Sequence, residues 1–448
     1  MLALANTNPG ESTEFMNTKG WLTLLPLLAV VVLIVLSLRR MKSTPLTKTG
    51  RLTLILLFLG SVIFLGENAL HDRLIRKGSP HLIKTAVAFS TTIDGYRAAM
   101  NNAVPRDVKI LERDSLPRTL VLIIGESLNR NHMSLYGAER ETSPLLSCRD
   151  DIQVYQNVIS GYSNTVSSVL NSLSETNTES ADTASPKVDI IDILHAADYK
   201  TYWLSNQPPI GIWENIVSYL ANKTDNPVYV NTSSSSSFEA TYTVSYDDKL
   251  LKPLRTALDA PGERKLIVLH LMGNHTSYSK RYPPAYKKWE ESGEVPGTRA
   301  HYANAVLYND YVVDSIFSML TQHAASSDQE NIALYLSDHG ENVYDENGNC
   351  GHDYAGTLPK SNVEIPFILW QSNTSKARTT ALSTPYMSDD LFHTIQDLAK
   401  VKNSYYTPTR AFFHTGYDST RVRKMERYMS RCFDWLLWYI WQSEKQTL

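Results

Sequence analysis

Ile123-Ile124-Gly125-Glu126-Ser127 ends an apolar, strand-like run on a carboxylate. Leu336-Ser337-Asp338-His339-Gly340-Glu341 ends another on an Asp–His pair. Two carboxylates and an imidazole suit Zn2+, which takes oxygen and nitrogen ligands in a four-coordinate shell. Gly340 permits the turn that aims two neighbouring residues inward. An isolated Asp-His-Gly is an ordinary loop turn. Paired with the strand-end Glu126, it becomes a candidate site for one or two zinc ions.

Between these runs, Ser160-Gly161-Tyr162-Ser163-Asn164-Thr165-Val166-Ser167-Ser168 passes from a loop into a helix. Hydroxyls at such a place ordinarily cap helices. A helix N-terminus also offers free N–H groups and partial positive charge to a phosphate. A hydroxyl bound there to metal loses its proton near neutral pH and attacks phosphorus. Spacing alone leaves Ser163, Thr165, Ser167 and Ser168 open as the nucleophile. His275 follows Leu269-His270-Leu271-Met272-Gly273-Asn274, and His352 lies in Cys350-Gly351-His352-Asp353. Each is placed to hold a phosphate oxygen, protonate a leaving group or bind a second metal. The chemistry indicated is phosphoryl or sulfuryl transfer.

Such residues need strand ends to carry them. Thr119–Ile124, Thr201–Leu204, Lys265–Leu271, Ile332–Leu336 and Ile365–Leu369 are short apolar runs rich in β-branched and aromatic residues. Ile190–Ala197, Tyr302–Leu320 and Asp389–Ala399 carry helical spacing. Short buried strands alternating with helices predict an α/β domain with a largely parallel sheet. Ligands of such sheets bind beyond the carboxyl ends of the strands, where Glu126, His275, Asp338 and His339 fall.

The chain has 448 residues and a net charge of −3, which offers no basic field to nucleic acid. Trp21–Leu38 is nearly all apolar, long enough to span a bilayer, and Leu52–Gly66 is a second such run, extending to Leu70. Residues 1–70 are therefore expected to be a membrane anchor of two helices. Arg39, Arg40, Lys42, Lys48 and Arg51 lie between them and put that loop in the cytoplasm. Everything after Leu70 then lies outside it. Residues 71–117 read as a helical linker, 118–420 as the catalytic domain, and 421–448 as a basic, aromatic segment. The last suits either a membrane interface or a helix packed on the core. Three cysteines, Cys148, Cys350 and Cys432, allow at most one bridge within the chain and no zinc ribbon.

In three blocks the chain resembles the phosphoethanolamine transferases of Gram-negative envelopes, within the alkaline phosphatase/sulfatase-like superfamily. The blocks are Gly125-Glu126-Ser127 with Asn131 to Gly137 and Arg140 to Pro144, His270 to His275 with Arg281-Tyr282-Pro283, and Ser337 to Glu341 with the segment to His352. Met387 to Thr394 resembles a late helix of that family. The resemblance implies an alkaline phosphatase-like α/β/α sandwich in the periplasm, anchored in the bacterial inner membrane and acting as a monomer. It implies transfer from phosphatidylethanolamine to an envelope glycan or glycolipid, lipid A or lipopolysaccharide core first among them. It makes Thr165 the nucleophile, with Glu126, Asp338 and His339 as its zinc companions. His275 and His352 take phosphate-contacting or second-zinc places, and Asn206 and Gln207 lie near an ethanolamine-contacting region.

Three departures stand out. Many relatives have five membrane helices where this chain offers two. Many brace the nucleophile loop by a disulfide where Gly161 and Asn171 stand here, and many follow the nucleophile with a proline where Leu170 stands. A phosphoglycerol transferase, or a phosphatase or sulfatase on the same fold, is the competing enzyme. Type I sulfatases need a C/S-x-P-x-R context, which Cys148-Arg149-Asp150 and the Thr165 region lack. A catalytically dead scaffold would have no reason to retain the ligand set.

Overall fold

Seven strands make the central sheet: β1 (Arg118–Gly125), β2 (Ile152–Val154), β3 (Lys200–Ser205), β4 (Asn226–Tyr229), β5 (Arg264–His270), β6 (Glu330–Ser337) and β7 (Phe367–Gln371). Their order across the sheet is β2-β7-β6-β1-β5-β3-β4. The five strands from β6 to β4 run parallel. β7 runs antiparallel to both its neighbours, so the sheet is mixed at that side. The computed structural model describes residues 108–424 except 180–187, 208–215, 232–243, 328, 353–357 and 373–379. These residues all belong to one compact unit, 102–448. The two apolar N-terminal runs, the linker up to residue 107 and the C-terminal segment from 425 lie outside the described residues.

Among the described residues, six helices of seven or more residues flank the sheet: α1 (Thr165–Ser172), α2 (Ile190–Ala196), α3 (Ile216–Lys223), α4 (Leu251–Asp259), α5 (Glu294–Ala325) and α6 (Leu391–Ala399). Strand side chains alternate between two faces. Leu120, Leu122 and Ile124 of β1 pack with Val169, Ile193, Leu220 and Ile395, from α1, α2, α3 and α6. Val121 and Ile123 face the other way, onto Leu254 of α4 and Val306, Val313 and Phe317 of α5. Both faces are covered, so β1 is buried along its whole length and reads as a continuous apolar run. The result is the three-layer α/β/α arrangement expected from the sequence.

Two local readings change. Ile110–Arg113, expected within the helical linker, is a strand paired antiparallel with Val401–Asn403. The helix expected at Tyr302–Leu320 begins at Glu294, because Pro296 sits in its first turn, where no N–H is needed. At the start of the basic C-terminal segment, two arginines bond to the domain. Arg421 donates to Asp389 Oδ1 at 3.0 Å and Asp390 Oδ2 at 2.6 Å, and Arg423 donates to Asn157 O at 3.2 Å. Among the described residues no helix is long and apolar enough to cross a membrane.

α6 carries a test of pH dependence. His393 is buried, and its Nδ1 accepts the Thr407 N–H at 3.3 Å. Burial first, then the nearby Arg410 charge, push its pKa down to about 3. The folded state thus binds this proton more weakly than the unfolded chain, whose histidines titrate near about 6.5. The stability His393 contributes is complete above that value and is lost as pH falls toward the folded pKa. Between pH 7 and pH 5 the loss is about 2 kcal/mol. Asp310 and Asp390, each pushed up to about 7 by burial first, act with the opposite sign, so the variant difference is what isolates the histidine. His393→Asn keeps an acceptor for Thr407 but no titrating group. Urea unfolding at the two pH values should cost wild type more than the variant by that amount. Equal losses would contradict the assignment.

Candidate active site

Strand register brings the acidic residues together. Gly125 of β1 pairs with Ser337 of β6, so Glu126 and Asp338 leave the carboxyl edge side by side. Ser127 then turns in the left-handed region, at φ 53°, which costs a non-glycine residue about 1–3 kcal/mol. Three bonds offset it. Ser127 N–H donates to Asp338 Oδ1 at 3.1 Å, Leu128 N–H to Ser337 Oγ at 2.9 Å, and Tyr302 Oη to Ser127 O at 2.8 Å. Across the turn, Gly273 sits at φ +48°, and a Cβ there would meet the Glu126 backbone N and O at 2.8 Å. Only glycine fits so close an approach.

Gly340 is required for a different reason from the one its sequence suggests. Its φ is not in the left-handed region. Instead its N–H donates to Asn362 O at 2.9 Å, and a Cβ would meet Ser361 O at 2.1 Å. His339 Nδ1 lies 2.7 Å from Gly340 O, which fixes the ring and turns Nε2 into the cluster. Nε2 stands 3.5 Å from Glu126 Oε1, 3.5 Å from Asp338 Oδ2 and 3.4 Å from Thr165 Oγ1.

Of the four hydroxyls, the start of the first flanking helix brings Thr165 to the Glu126 carboxylate. α1 begins at Thr165, with Asn164 Oδ1 capping it by accepting Ser167 N–H at 3.0 Å. Thr165 Oγ1 lies 3.1 and 3.3 Å from the two Glu126 carboxylate oxygens. Ser168 points away, its Oγ donating to Tyr162 O at 3.2 Å and lying 3.1 Å from Ser160 Oγ. Ser160 Oγ in turn donates to Asp338 O at 2.7 Å. This buried pair ties the loop to the ligand strand. At the two positions where the resemblance would place a disulfide, a Cβ on Gly161 would meet Thr178 Cγ2 at 3.0 Å, and Asn171 donates to Ser167 O at 2.7 Å. Among the described residues Cys148 and Cys350 are free thiols.

The donor set fits a cation. Glu126, Asp338 and His339 are buried, and each offers a ligand atom within 4.8 Å of the others. Asp338 Oδ2 is buried with no hydrogen-bond partner, a cost that a metal bond removes. Burial and the neighbouring Glu126 charge push the Asp338 carboxyl up to about 7. Burial opposes the charge on His339, yet Asp338 and Glu126 outweigh it and raise that imidazole to about 10. Burial would likewise raise Glu126, but the hydrogen bond and charge of His339 hold it below the usual carboxylate range. Two buried carboxylates share one buried imidazole, and the excess of acceptors suits zinc.

The remaining expected residues divide. His352 Nδ1 lies 3.2 Å from Glu341 Oε2, and its ring centroid is 4.9 Å from that of His339. His339, Glu341 and His352 form a second group with ligand atoms within 4.8 Å. His275 lies near enough to Glu126 to lower its pKa. Asn206 and Gln207 are buried and bond elsewhere. Asn206 Nδ2 donates to Asp247 Oδ1 at 2.8 Å, and Gln207 Nε2 donates to Leu271 O at 3.1 Å. They reach the cluster through the 271–275 turn, not by direct contact. Glu341 carries a role not assigned from sequence, although it ends the Ser337–Glu341 block. Tyr278 Oη donates to its Oε1 at 2.5 Å.

The sequence profile of the sulfatase family matches residues 118–401. The phosphoethanolamine transferase EptC of Escherichia coli (strain RS218) is 32% identical over 340 residues, covering 71% of this chain and 57% of that protein. The chain thus spans little more than half the length of this curated relative. The crystal structure of the C-terminal periplasmic domain of Escherichia coli EptC in complex with zinc matches with a TM-score of 0.63 at 30% identity, covering 70% of this chain and 90% of that one. The integral membrane lipooligosaccharide phosphoethanolamine transferase A of Neisseria meningitidis shares the fold, with a TM-score of 0.65 at 21% identity over 92% of this chain and 81% of that one. On these matches the chain belongs to the sulfatase family, and its catalytic-domain region is similar to those of phosphoethanolamine transferases.

Proposed function

We propose that this protein is an inner-membrane-anchored transferase with its catalytic domain in the periplasm. It moves phosphoethanolamine from phosphatidylethanolamine to an envelope glycan, lipid A or lipopolysaccharide core, through a phospho-threonine at Thr165. The observation that carries the reading is Thr165 Oγ1 at a helix start, 3.1 Å from Glu126 Oε2 and 3.4 Å from His339 Nε2. A zinc ion held by Glu126, Thr165, Asp338 and His339 would acidify the hydroxyl and neutralise charge on the phosphoryl oxygens.

The residues divide the work. Glu126 accepts the Thr165 hydroxyl hydrogen and orients the oxygen. That oxygen forms a bond to phosphorus as the bond to the diacylglycerol oxygen breaks. The leaving alkoxide takes a proton, for which His275 and His352 beside the cluster are the suited donors. The N–H groups at the start of α1 face the phosphoryl oxygens. In the second step an acceptor hydroxyl or phosphate oxygen bonds to the phosphorus of phospho-threonine as the bond to Thr165 Oγ1 breaks, and the proton of an attacking hydroxyl passes to Oγ1, restoring the threonine. Chemistry of the sulfatase type is disfavoured, because no cysteine or serine stands in the formylglycine context.

Product mass decides the function. Purified full-length protein is incubated with phosphatidylethanolamine and lipopolysaccharide, and the acceptor is analysed by mass spectrometry. An added aminoethyl phosphate with release of diacylglycerol is expected. Added glycerol phosphate from phosphatidylglycerol, or free phosphoethanolamine with unmodified acceptor, would replace this reading by a phosphoglycerol transferase or a hydrolase.

A further inference from the structure

The turn that carries His275 is gripped by charge from both sides. Asp247, only 4% exposed, accepts Met272 N–H on Oδ1 at 2.8 Å and Gly273 N–H on Oδ2 at 2.9 Å. Asn206 Nδ2 also donates to that Oδ1, at 2.8 Å, and accepts Ser245 Oγ–H on its own Oδ1 at 2.6 Å. From the opposite side, Arg281 Nε donates to His275 O at 3.1 Å, and its Nη2 donates to Thr276 O at 2.9 Å. Burial pushes the Asp247 carboxyl above the usual carboxylate range, and the Met272 and Gly273 N–H groups, Asn206 and the Arg281 charge oppose that shift. Between the two grips the turn presses on the ligand strand. Gly273 lies against the Glu126 backbone, and Asn274 N–H donates to Glu126 O at 2.9 Å.

We infer that Asp247 and Arg281 are positioning residues that clamp the 271–276 turn, setting His275 and the Glu126 main chain in register for phosphoryl transfer. The inference rests on the transferase reading above. Its warrant is cost. A buried carboxylate is expensive unless it is hydrogen-bonded, and a turn that merely closed a loop would need no charge. Charge-assisted bonds to two successive N–H groups are shorter and stronger than neutral ones, and they fix the turn in both position and tilt. Arg281 does the same for the two carbonyls that follow. Asp247 bonds the Met272 and Gly273 N–H groups and Arg281 the His275 and Thr276 carbonyls, so both act through the turn.

The test uses the full-length, zinc-loaded protein and the variants Asp247→Asn, Arg281→Gln and Arg281→Lys. Asp247→Asn keeps the shape but puts an amide NH2 against an N–H donor. Arg281 is partly exposed, so its variants remain informative should Asp247→Asn fail to fold. Hydrogen exchange of segment 271–276 should rise about tenfold or more in both disrupting variants, with α5 unchanged. Zinc stays stoichiometric. The kcat for phosphatidylethanolamine falls about tenfold or more with KM within about twofold, because the turn's displacement affects the reacting geometry and not donor capture. Arg281→Lys, which retains the charge, falls between Arg281→Gln and wild type. Unchanged exchange in Arg281→Gln and in any folded Asp247→Asn overturns the clamp. Faster exchange with unchanged kcat overturns its catalytic purpose. A wild-type protein that transfers nothing defeats the transferase reading, and the clamp is then decided by exchange alone.

Discussion

Thr165→Ala is expected to reduce transfer by about 10^3-fold or more while leaving the fold and most of the bound zinc in place. The size follows from its role as the attacking atom. With Oγ1 gone, no other hydroxyl faces the Glu126 carboxylate from α1. Ser168 is turned toward Tyr162 O and Ser160, and the cap of the helix belongs to Asn164. Because the cap is a different residue, the helix loses little, well under about 1 kcal/mol at its first position. Glu126, Asp338 and His339 remain to hold metal. Thr165→Ser restores an oxygen and should restore measurable transfer. Activity of Thr165→Ala near that of wild type, measured as diacylglycerol release and acceptor mass, would remove the covalent step from the account.

Asp338→Asn has the second-largest effect, and it separates function from stability. The amide oxygen still accepts the Ser127 and His339 N–H groups that now bond Oδ1 at 3.1 and 2.7 Å. The NH2 replaces Oδ2, which is buried without a hydrogen-bond partner, and sets two donors where a cation held by Glu126, Asp338 and His339 would lie. Zinc affinity should fall by on the order of 10^2-fold or more, and transfer with it. The metal-free protein should become more stable at pH 8, by on the order of 1 kcal/mol, because a buried carboxylate held up by Glu126 is gone. Zinc content by elemental analysis and urea midpoints of stripped samples check both halves. Stoichiometric zinc in the variant, or a stripped variant less stable than stripped wild type, contradicts the ligand assignment.

Much of this was legible from the chain because strand-end chemistry leaves a local signature. Glu126 and Asp338-His339 directly follow apolar runs, and the runs at β1, β3, β5 and β6 fall within a residue or two of where the sequence puts them. The edge strands β2 and β4 escape notice since each is three or four residues long and incompletely buried, with Pro227 in β4. The reversed direction of β7 has no sequence signature at all, being set by how its connection returns. Within the site, choosing Thr165 over its neighbouring serines needs the phase and the start of α1, which spacing does not supply. Ser160, Asp247 and Glu341 act through partners dozens of residues away, and a polar residue in a loop looks the same whether it is solvated or gripping a distant main chain. Gly340 shows how a correct residue can carry the wrong reason. Its sequence suggests turn freedom, whereas Ser361 O needs the space.

The covalent intermediate tests the central claim most directly. Zinc-loaded full-length protein is mixed with phosphatidylethanolamine in the absence of acceptor, quenched in acid, digested and mapped by tandem mass spectrometry. An aminoethyl phosphate on Thr165, absent from the zinc-stripped sample and discharged by added lipopolysaccharide, is the predicted result. The same group on Ser163, Ser167 or Ser168, or transfer to lipopolysaccharide with no adduct on the protein at any time point, would contradict it.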